Sequence, residues 1–270
     1  MATAAVGEGM AEVVDQLCRA AGLPPPTSVQ SMSHGMSGDL VLRLEGPRPF
    51  FAKIGDPARR ISVDELTREV GMLRWLDGRA GGARVIWSGD VAGRPAMLTE
   101  AIAGVALHDL APDRAEAGAV AALAALAALH ALPIADCPFD ARLDVRLAEA
   151  ARRVAAGEVD VANLAPHNAG RDLADVWRAF LDRRPPSEDL AVTHGDACWP
   201  NLIWRPDGGV GLIDLGRAGV ADRCQDLALF IRSARHNVPD LPIETIVAAH
   251  YPTPLDAEKL EFYRELDEFF

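Results

Sequence analysis

Apolar positions in the first hundred residues follow two different spacings, and each spacing predicts its own kind of element. Over residues 10–21 they recur at the three-to-four residue step of an amphipathic helix, which stops at Gly22 ahead of Pro24-Pro25-Pro26. Residues 40–44 and 50–54 are short β-prone runs on either side of Gly46-Pro47, a turn signal, and together they predict a hairpin. Residues 63–76 return to helical spacing, with Val70, Leu73 and Leu76 on the apolar side. Residues 85–88 and 95–99 read as two more strands joined by a turn within 89–93.

Beyond Ala103-Gly104 the pattern changes to alanine-rich, leucine-punctuated helices. Residues 117–135 carry no formal charge, a run long enough to consider as a membrane span. They are mostly alanine, His130 and Pro133 interrupt them, and Val120, Leu123, Leu126 and Leu129 recur every three residues. A buried helix is the expectation. Two short apolar runs, residues 190–193 and 210–213, break the helical pattern just before His194 and Asp214. A strand-rich front and a helix-rich back predict an α+β protein with two lobes, an N-lobe over residues 1–101 and a helical C-lobe over 102–270.

Charge and cysteine usage narrow the function classes. The net charge of -12 disfavours non-specific attachment to nucleic acid or to an anionic membrane; it serves solubility alone, the first reading, or draws a cationic substrate, the second. Cys18, Cys137, Cys198 and Cys224 form no C-x-x-C pair, so neither a zinc site nor a disulfide scaffold is expected. The first residues lack a basic segment followed by an apolar run, so no signal peptide is expected and the reading is cytoplasmic.

The candidate chemistry lies in the last third. His194-Gly195-Asp196 is followed by Asn201 at the spacing H-x-D-x-x-x-x-N, and Asp214-Leu215-Gly216 supplies a later D-x-G. Phosphoryl transfer to a hydroxyl needs these groups: one carboxylate to take or orient the proton, plus an amide oxygen and a second carboxylate to hold Mg²⁺. It also needs a cation for the phosphates, and the chain has no G-x-x-x-x-G-K-[ST] loop. Lys53 on the second hairpin strand, with Glu69 in the next helix, is the alternative supplier. Lys53 and Lys259 are the two lysines among 27 basic residues, which marks Lys53 as a chosen point charge. Ser33-His34-Gly35-Met36-Ser37-Gly38 precedes the hairpin and has the glycines of a phosphate cover, with Ser37 adding a hydroxyl.

At these residues the chain resembles the aminoglycoside 3'-phosphotransferases, the neomycin and kanamycin kinases. The resemblance rests on residues 192–198, on Ile213-Asp214-Leu215-Gly216-Arg217, on Val220-Ala221-Asp222-Arg223 and on the ending Asp267-Glu268-Phe269-Phe270; a weaker likeness runs from Lys53 onward. It implies a protein-kinase-like fold with the nucleotide between two lobes, ATP (or GTP) as donor and Mg²⁺ as cofactor. It implies Asp196 as the catalytic aspartate, Asn201 and Asp214 as metal ligands, and Lys53 paired with Glu69 on the phosphates. Phe51 would stack on adenine, and Thr99 and Ala101 would present the hinge backbone. Arg217, Asp267 and the Phe270 carboxylate would shape the site for a small cationic antibiotic.

The chain departs from the family where members are acidic. Residues 159–167 keep little acid, and residues 231–237 read Ile-Arg-Ser-Ala-Arg-His-Asn where carboxylates would meet drug amines. The leading expectation is an ATP-dependent kinase of an aminoglycoside hydroxyl, at position 3', conferring resistance, in a monomer or weak dimer with no nucleic-acid or membrane partner. A kinase of another natural product or metabolite is the alternative within the class. A nucleotide-binding protein without turnover is the alternative outside it.

Overall fold

The computed structural model describes residues 8–32 and 39–270. Contacts divide the chain into two compact units: the residues up to Ala103 together with Gly211–Arg217, and Gly104–Val210 together with Ala218–Phe270.

In the first unit, helix α1 (Glu8–Ala21) precedes strands β1 (Ser28–Ser31), β2 (Leu40–Glu45) and β3 (Phe50–Ile54), helix α2 (Arg60–Leu76), and strands β4 (Val85–Val91) and β5 (Arg94–Glu100). The five strands make one antiparallel sheet in the order β1-β2-β3-β5-β4. Strand pleating then sorts the side chains. Leu42, Leu44, Ala52, Ile54, Ala96 and Leu98 pack with Val14, Leu17 and Cys18 of α1 in one buried cluster. Phe51 and Lys53, at the alternate positions of β3, point to the other face, and Thr99 lies directly across from Phe51. The β4–β5 turn places Ala92 and Gly93 at φ 53° and 74°, the positive pair that a tight hairpin requires. The predicted hairpin, α2 and the β4–β5 pair all form; polar β1, Ser-Val-Gln-Ser, carries no alternation and was not foreseen.

The second unit holds strand β6 (Val105–Ala106), helices α3 (Pro112–His130), α4 (Leu143–Ala156) and α5 (Leu173–Leu181), and strands β7 (Leu190–Thr193) and β8 (Leu202–Trp204). Strand β9 (Val210–Leu212) carries the chain back to the first unit, and β10 (Gly219–Asp222), α6 (Cys224–Asn237), α7 (Ile243–His250) and α8 (Ala257–Leu266) follow. Helix α3 buries Ala115, Gly118, Ala119, Ala122, Leu123, Leu126 and Leu129, so the uncharged run is a core helix. No helix among the described residues is long and apolar enough to cross a membrane. Strand β7 pairs antiparallel with β10, joining Thr193 to Gly219. Local chemistry sets the helix ends. Gly157 closes α4 at φ 67°, with the Glu158 amide donating back to Arg153 O. Asp172 and Asp256 cap α5 and α8 by accepting from the amides of their first turns.

The boundary differs from the sequence reading by two residues, at 103 in place of 101, and by one later segment. Residues 211–217 were assigned to the helical lobe, but Leu212 N donates to Gly81 O at 2.9 Å and accepts, through its carbonyl, from Ala83 N at 3.1 Å. Those backbone bonds attach the segment bearing Asp214 to the first unit.

The end of the chain is held by aromatic packing. Phe180 of α5 stacks on Phe262 of α8 at 4.4 Å between ring centroids and meets Phe269 at 5.0 Å, while Trp177 meets Phe269 edge-on at 4.9 Å. Phe180→Ala would leave a large cavity at this junction and is expected to cost about 3–5 kcal/mol. Urea denaturation should show the midpoint falling with little change in slope; a midpoint within experimental error of the parent would show that the cluster does not support the fold.

Candidate active site

Lys53 stands at a buried junction of three charges within the first unit. Its Nζ lies 2.9 Å from Glu69 Oε2 and 2.8 Å from Asp214 Oδ1. The Lys53 and Glu69 side chains are 11% and 4% exposed, whereas Asp214 is 49% exposed, so one carboxylate of the pair is sealed and the other faces out. Burial alone would lower the Lys53 pKa, but attraction to Glu69 and Asp214 outweighs it and raises the value, which keeps the ammonium charged at neutral pH. Asp214 itself sits at φ 60°, a left-handed conformation that aspartate tolerates better than most residues and that is concentrated at functional sites. A fixed cation beside an outward carboxylate can hold a phosphate oxygen and a metal ion side by side.

Asp196 belongs to the second unit, and its position is set from below. The loop leaves β7 at Thr193, whose hydroxyl donates to Gly219 O at 3.0 Å. His194 N and Gly195 N then donate to the two oxygens of Asp226, at 2.7 and 2.8 Å. Asp226 lies in the first turn of α6 and is fully buried. Gly195 adopts φ 82°, which lets successive amides turn toward one carboxylate, and its carbonyl accepts from Gln225 Nε2 at 3.1 Å. Beyond the loop, Trp199 N donates to Ser233 Oγ at 2.9 Å, a second tie to α6. Asn201 Nδ2 donates to Asp196 O at 3.0 Å and to Asp196 Oδ2 at 3.1 Å. That restrains the aspartate rotamer.

Behind Asp226 stands a buried relay. His130, the last residue of α3, has Nε2 2.9 Å from Asp226 Oδ2 and Nδ1 2.6 Å from the Tyr251 hydroxyl. Burial pushes the Asp226 pKa up, but the His130 hydrogen bond, the nearby imidazoles and the His194 amide hold it below the usual carboxylate range. A depressed value means that this carboxylate stabilises the fold fully above its unfolded pKa of about 4 and loses that contribution as pH falls through the folded value.

The structure brings the sequence-predicted residues into several settings. Lys53, Glu69 and Asp214 meet; Asp196 and Asn201 meet. Phe51 and Thr99 share the Lys53 face of the sheet, with the Arg43 guanidinium 5.8 Å from the Phe51 ring centre. The Ala101 amide is already used, donating to Pro49 O at 3.1 Å. Arg217 pairs with Glu65 at 3.2 Å. Asp267 pairs with Arg232 at 2.7 Å, and the Phe270 main-chain oxygen accepts from Arg153 at 2.7 Å while its ring lies 3.9 Å from the Arg146 guanidinium. Ser37 lies outside the described residues.

Asp226, His130 and Tyr251 were missed. Each is far along the chain from the group it supports, so spacing gave no signal. His130 was noted only as a break in an alanine run.

Asp226→Asn keeps the shape but puts an amide where two backbone N–H groups need acceptors. Breaking so buried a charged network is expected to cost about 3–5 kcal/mol of stability. Thermal denaturation of the variant checks this, and a melting temperature equal to the parent's would mean that the carboxylate does not anchor the loop.

Comparison with known proteins agrees with this geometry. Residues 28–265 match the profile of the phosphotransferase enzyme family. An aminoglycoside 3'-phosphotransferase of Streptomyces fradiae is 40% identical over 256 residues, covering 89% of this chain and 94% of that protein. A crystal structure of an aminoglycoside 3'-phosphotransferase of type VIII superposes with a TM-score of 0.81 at 33% identity, over 96% of this chain and 99% of that one. An aminoglycoside phosphotransferase from Streptomyces rimosus, solved in complex with ADP and streptomycin, superposes with a TM-score of 0.75 at 28% identity, over 87% and 93% of the two chains. The α+β architecture is therefore protein-kinase-like. With its lysine–glutamate pair and its anchored aspartate loop in place, the chain belongs to the phosphotransferase enzyme family.

Proposed function

We propose that this protein transfers the γ-phosphoryl group of ATP, with Mg²⁺, to a hydroxyl of an aminoglycoside, and that the hydroxyl is the 3' one. The observation that carries the reading is the anchored loop. Two backbone amides on Asp226 and the Asn201 amide on Asp196 hold one carboxylate in a single, partly exposed pose. Such a group is suited to taking the proton of an acceptor hydroxyl as it attacks phosphorus. The names of the relatives support an aminoglycoside as that acceptor, and the ADP complex of the S. rimosus protein supports an adenine nucleotide as donor.

Roles follow for the other groups. Lys53, oriented by Glu69, would hold phosphate oxygens, and Phe51 and Thr99 would lie along the nucleotide base. Asp214 and Asn201 carry the hard oxygen donors that Mg²⁺ prefers, and they would hold it. The ion, when bound, neutralises charge on the phosphoryl group being transferred. We place the enzyme in the cytoplasm as a monomer or weak dimer, with residues 1–101 as the nucleotide-binding lobe.

Acceptor-dependent ATP turnover is the direct test. Asp196→Asn should lower kcat by about 10²-fold or more and leave ATP affinity nearly intact, because the carboxylate acts on the hydroxyl and not on the nucleotide. Near-parental kcat in that variant would remove Asp196 from the mechanism.

Lys53→Ala should raise the KM for ATP and lower kcat, with Glu69→Ala milder. The two together should be less than additive, as expected for residues 2.9 Å apart. Strictly additive losses would show that Glu69 does not act through Lys53.

A further inference from the structure

Helix α2 carries Glu69, and nothing local fixes its first turn. Its N-terminal boundary falls at Arg59, whose side chain makes no capping hydrogen bond and, as a guanidinium, has no oxygen to offer. No acidic residue stands in that turn either. The anchor comes from across the sheet. Ser62 Oγ donates to Asp39 Oδ1 and accepts from Asp56 N at 2.8 Å. Asp39 and Ser62 are both fully buried. A glycine makes the contact possible: the register that pairs Leu40 with Ile54 brings Asp39 next to Gly55 at the end of β3. A Cβ at position 55 would stand 2.9 Å from Ser62 Oγ and 3.1 Å from the Pro95 ring, so any larger residue there would push the hydroxyl off Asp39.

This clasp joins the start of β2 to the helix that serves Lys53. Asp39 directly follows residues 33–38, the segment that the sequence reading gives to the phosphates and that lies outside the described residues. Ser62 shares the buried face of α2 with Glu69, seven residues on, two turns and about 10 Å along the axis. Glu69 in turn is the sealed partner of Lys53, at 2.9 Å. A hydrogen bond to a charged carboxylate sets both direction and distance, which apolar packing between the same elements would not. Glu65 ties the helix a second time, to Arg217 at 3.2 Å, so loss of the clasp would loosen α2 without releasing it.

We propose that Asp39 and Ser62 are positioning residues for the nucleotide: their clasp holds α2 where Glu69 keeps Lys53 on the phosphates of ATP. Without it, Glu69 spends less of its time on Lys53, and the ammonium is aimed less well at a phosphate oxygen. The proposal rests on the assignment of Lys53 to the phosphates made above.

Calorimetric titration of the full chain with the non-hydrolysable analogue β,γ-imido-ATP and Mg²⁺ tests this without any acceptor. Asp39→Ala and Ser62→Ala should each raise the Kd by about three- to tenfold, the range of one hydrogen bond to a charged group. Asp39→Asn, whose side-chain oxygen can still accept from Ser62, should recover most of the affinity. The Asp39→Ala/Ser62→Ala variant removes both partners, so it strands no buried charge if a single variant folds poorly, and it should show the same loss. In a Glu69→Ala background, removing Asp39 or Ser62 should change the Kd by less than about twofold, because the group they position is gone. Parental affinity in the Asp39→Ala/Ser62→Ala variant, or an equal loss with and without Glu69, overturns the proposal and leaves the kinase reading intact. A lowered binding stoichiometry at unchanged Kd marks a smaller folded fraction, assigns the pair a structural role and overturns it too. Parental affinity in Lys53→Ala, run alongside, overturns the phosphate assignment and this proposal with it.

Discussion

A buried carboxylate that accepts from two consecutive backbone amides is the constraint on which the second unit depends. Asp226 takes the N–H groups of His194 and Gly195, and without it those donors would be stranded in the core with no water to satisfy them. The same interaction dictates neighbouring choices. Position 195 is a glycine at positive φ, so that both amides can converge. The fourth element of the cluster, His130, ends an alanine-rich helix that buries small residues along its length. Tyr251 supports the far side of the imidazole. Asp196 is thereby oriented without itself being buried, which leaves it available to a substrate. Under the proposed function, positioning and reactivity are divided between two carboxylates.

The first unit applies the same division to a cation. Lys53 is fixed by the sealed Glu69 and shares its charge with the exposed Asp214. The two lysines of the chain have the same kind of setting, because Lys259 pairs at 2.8 Å with Asp222, which is fully buried. Lysine here is a point charge matched to a buried carboxylate, whereas the arginines mostly pair at the surface. The rarity of lysine in the sequence therefore carried information about both positions, although only Lys53 was singled out for it.

What the sequence made legible was whatever depends on local order. The hairpin around Gly46-Pro47, helix α2, the β4–β5 pair and the short strand before His194 follow from periodicity and turn residues, and the structure has them. The Asp196–Asn201 and Lys53–Glu69 pairs could be named because a known spacing joins each partner to the other. Asp226, His130 and Tyr251 could not, because 96 residues separate the histidine from the aspartate and 121 separate it from the tyrosine. Nor does a sequence reveal that a free-looking carboxylate is already paired. Asp267 reads as a lone carboxylate until Arg232 is seen on it, and residues 211–217 read as part of the helical lobe until their backbone bonds are traced to Gly81 and Ala83.

The central claim is that Asp196 directs phosphate from ATP onto the 3'-hydroxyl of an aminoglycoside. The most direct measurement is the position of the phosphate in the product, read by phosphorus–proton correlation in the NMR spectrum, with a 3'-deoxy aminoglycoside run alongside. The account predicts a phosphate coupled to the 3' proton, and no acceptor-dependent ATP consumption with the 3'-deoxy compound. Phosphate on another hydroxyl, or equal turnover of the 3'-deoxy compound, would contradict it.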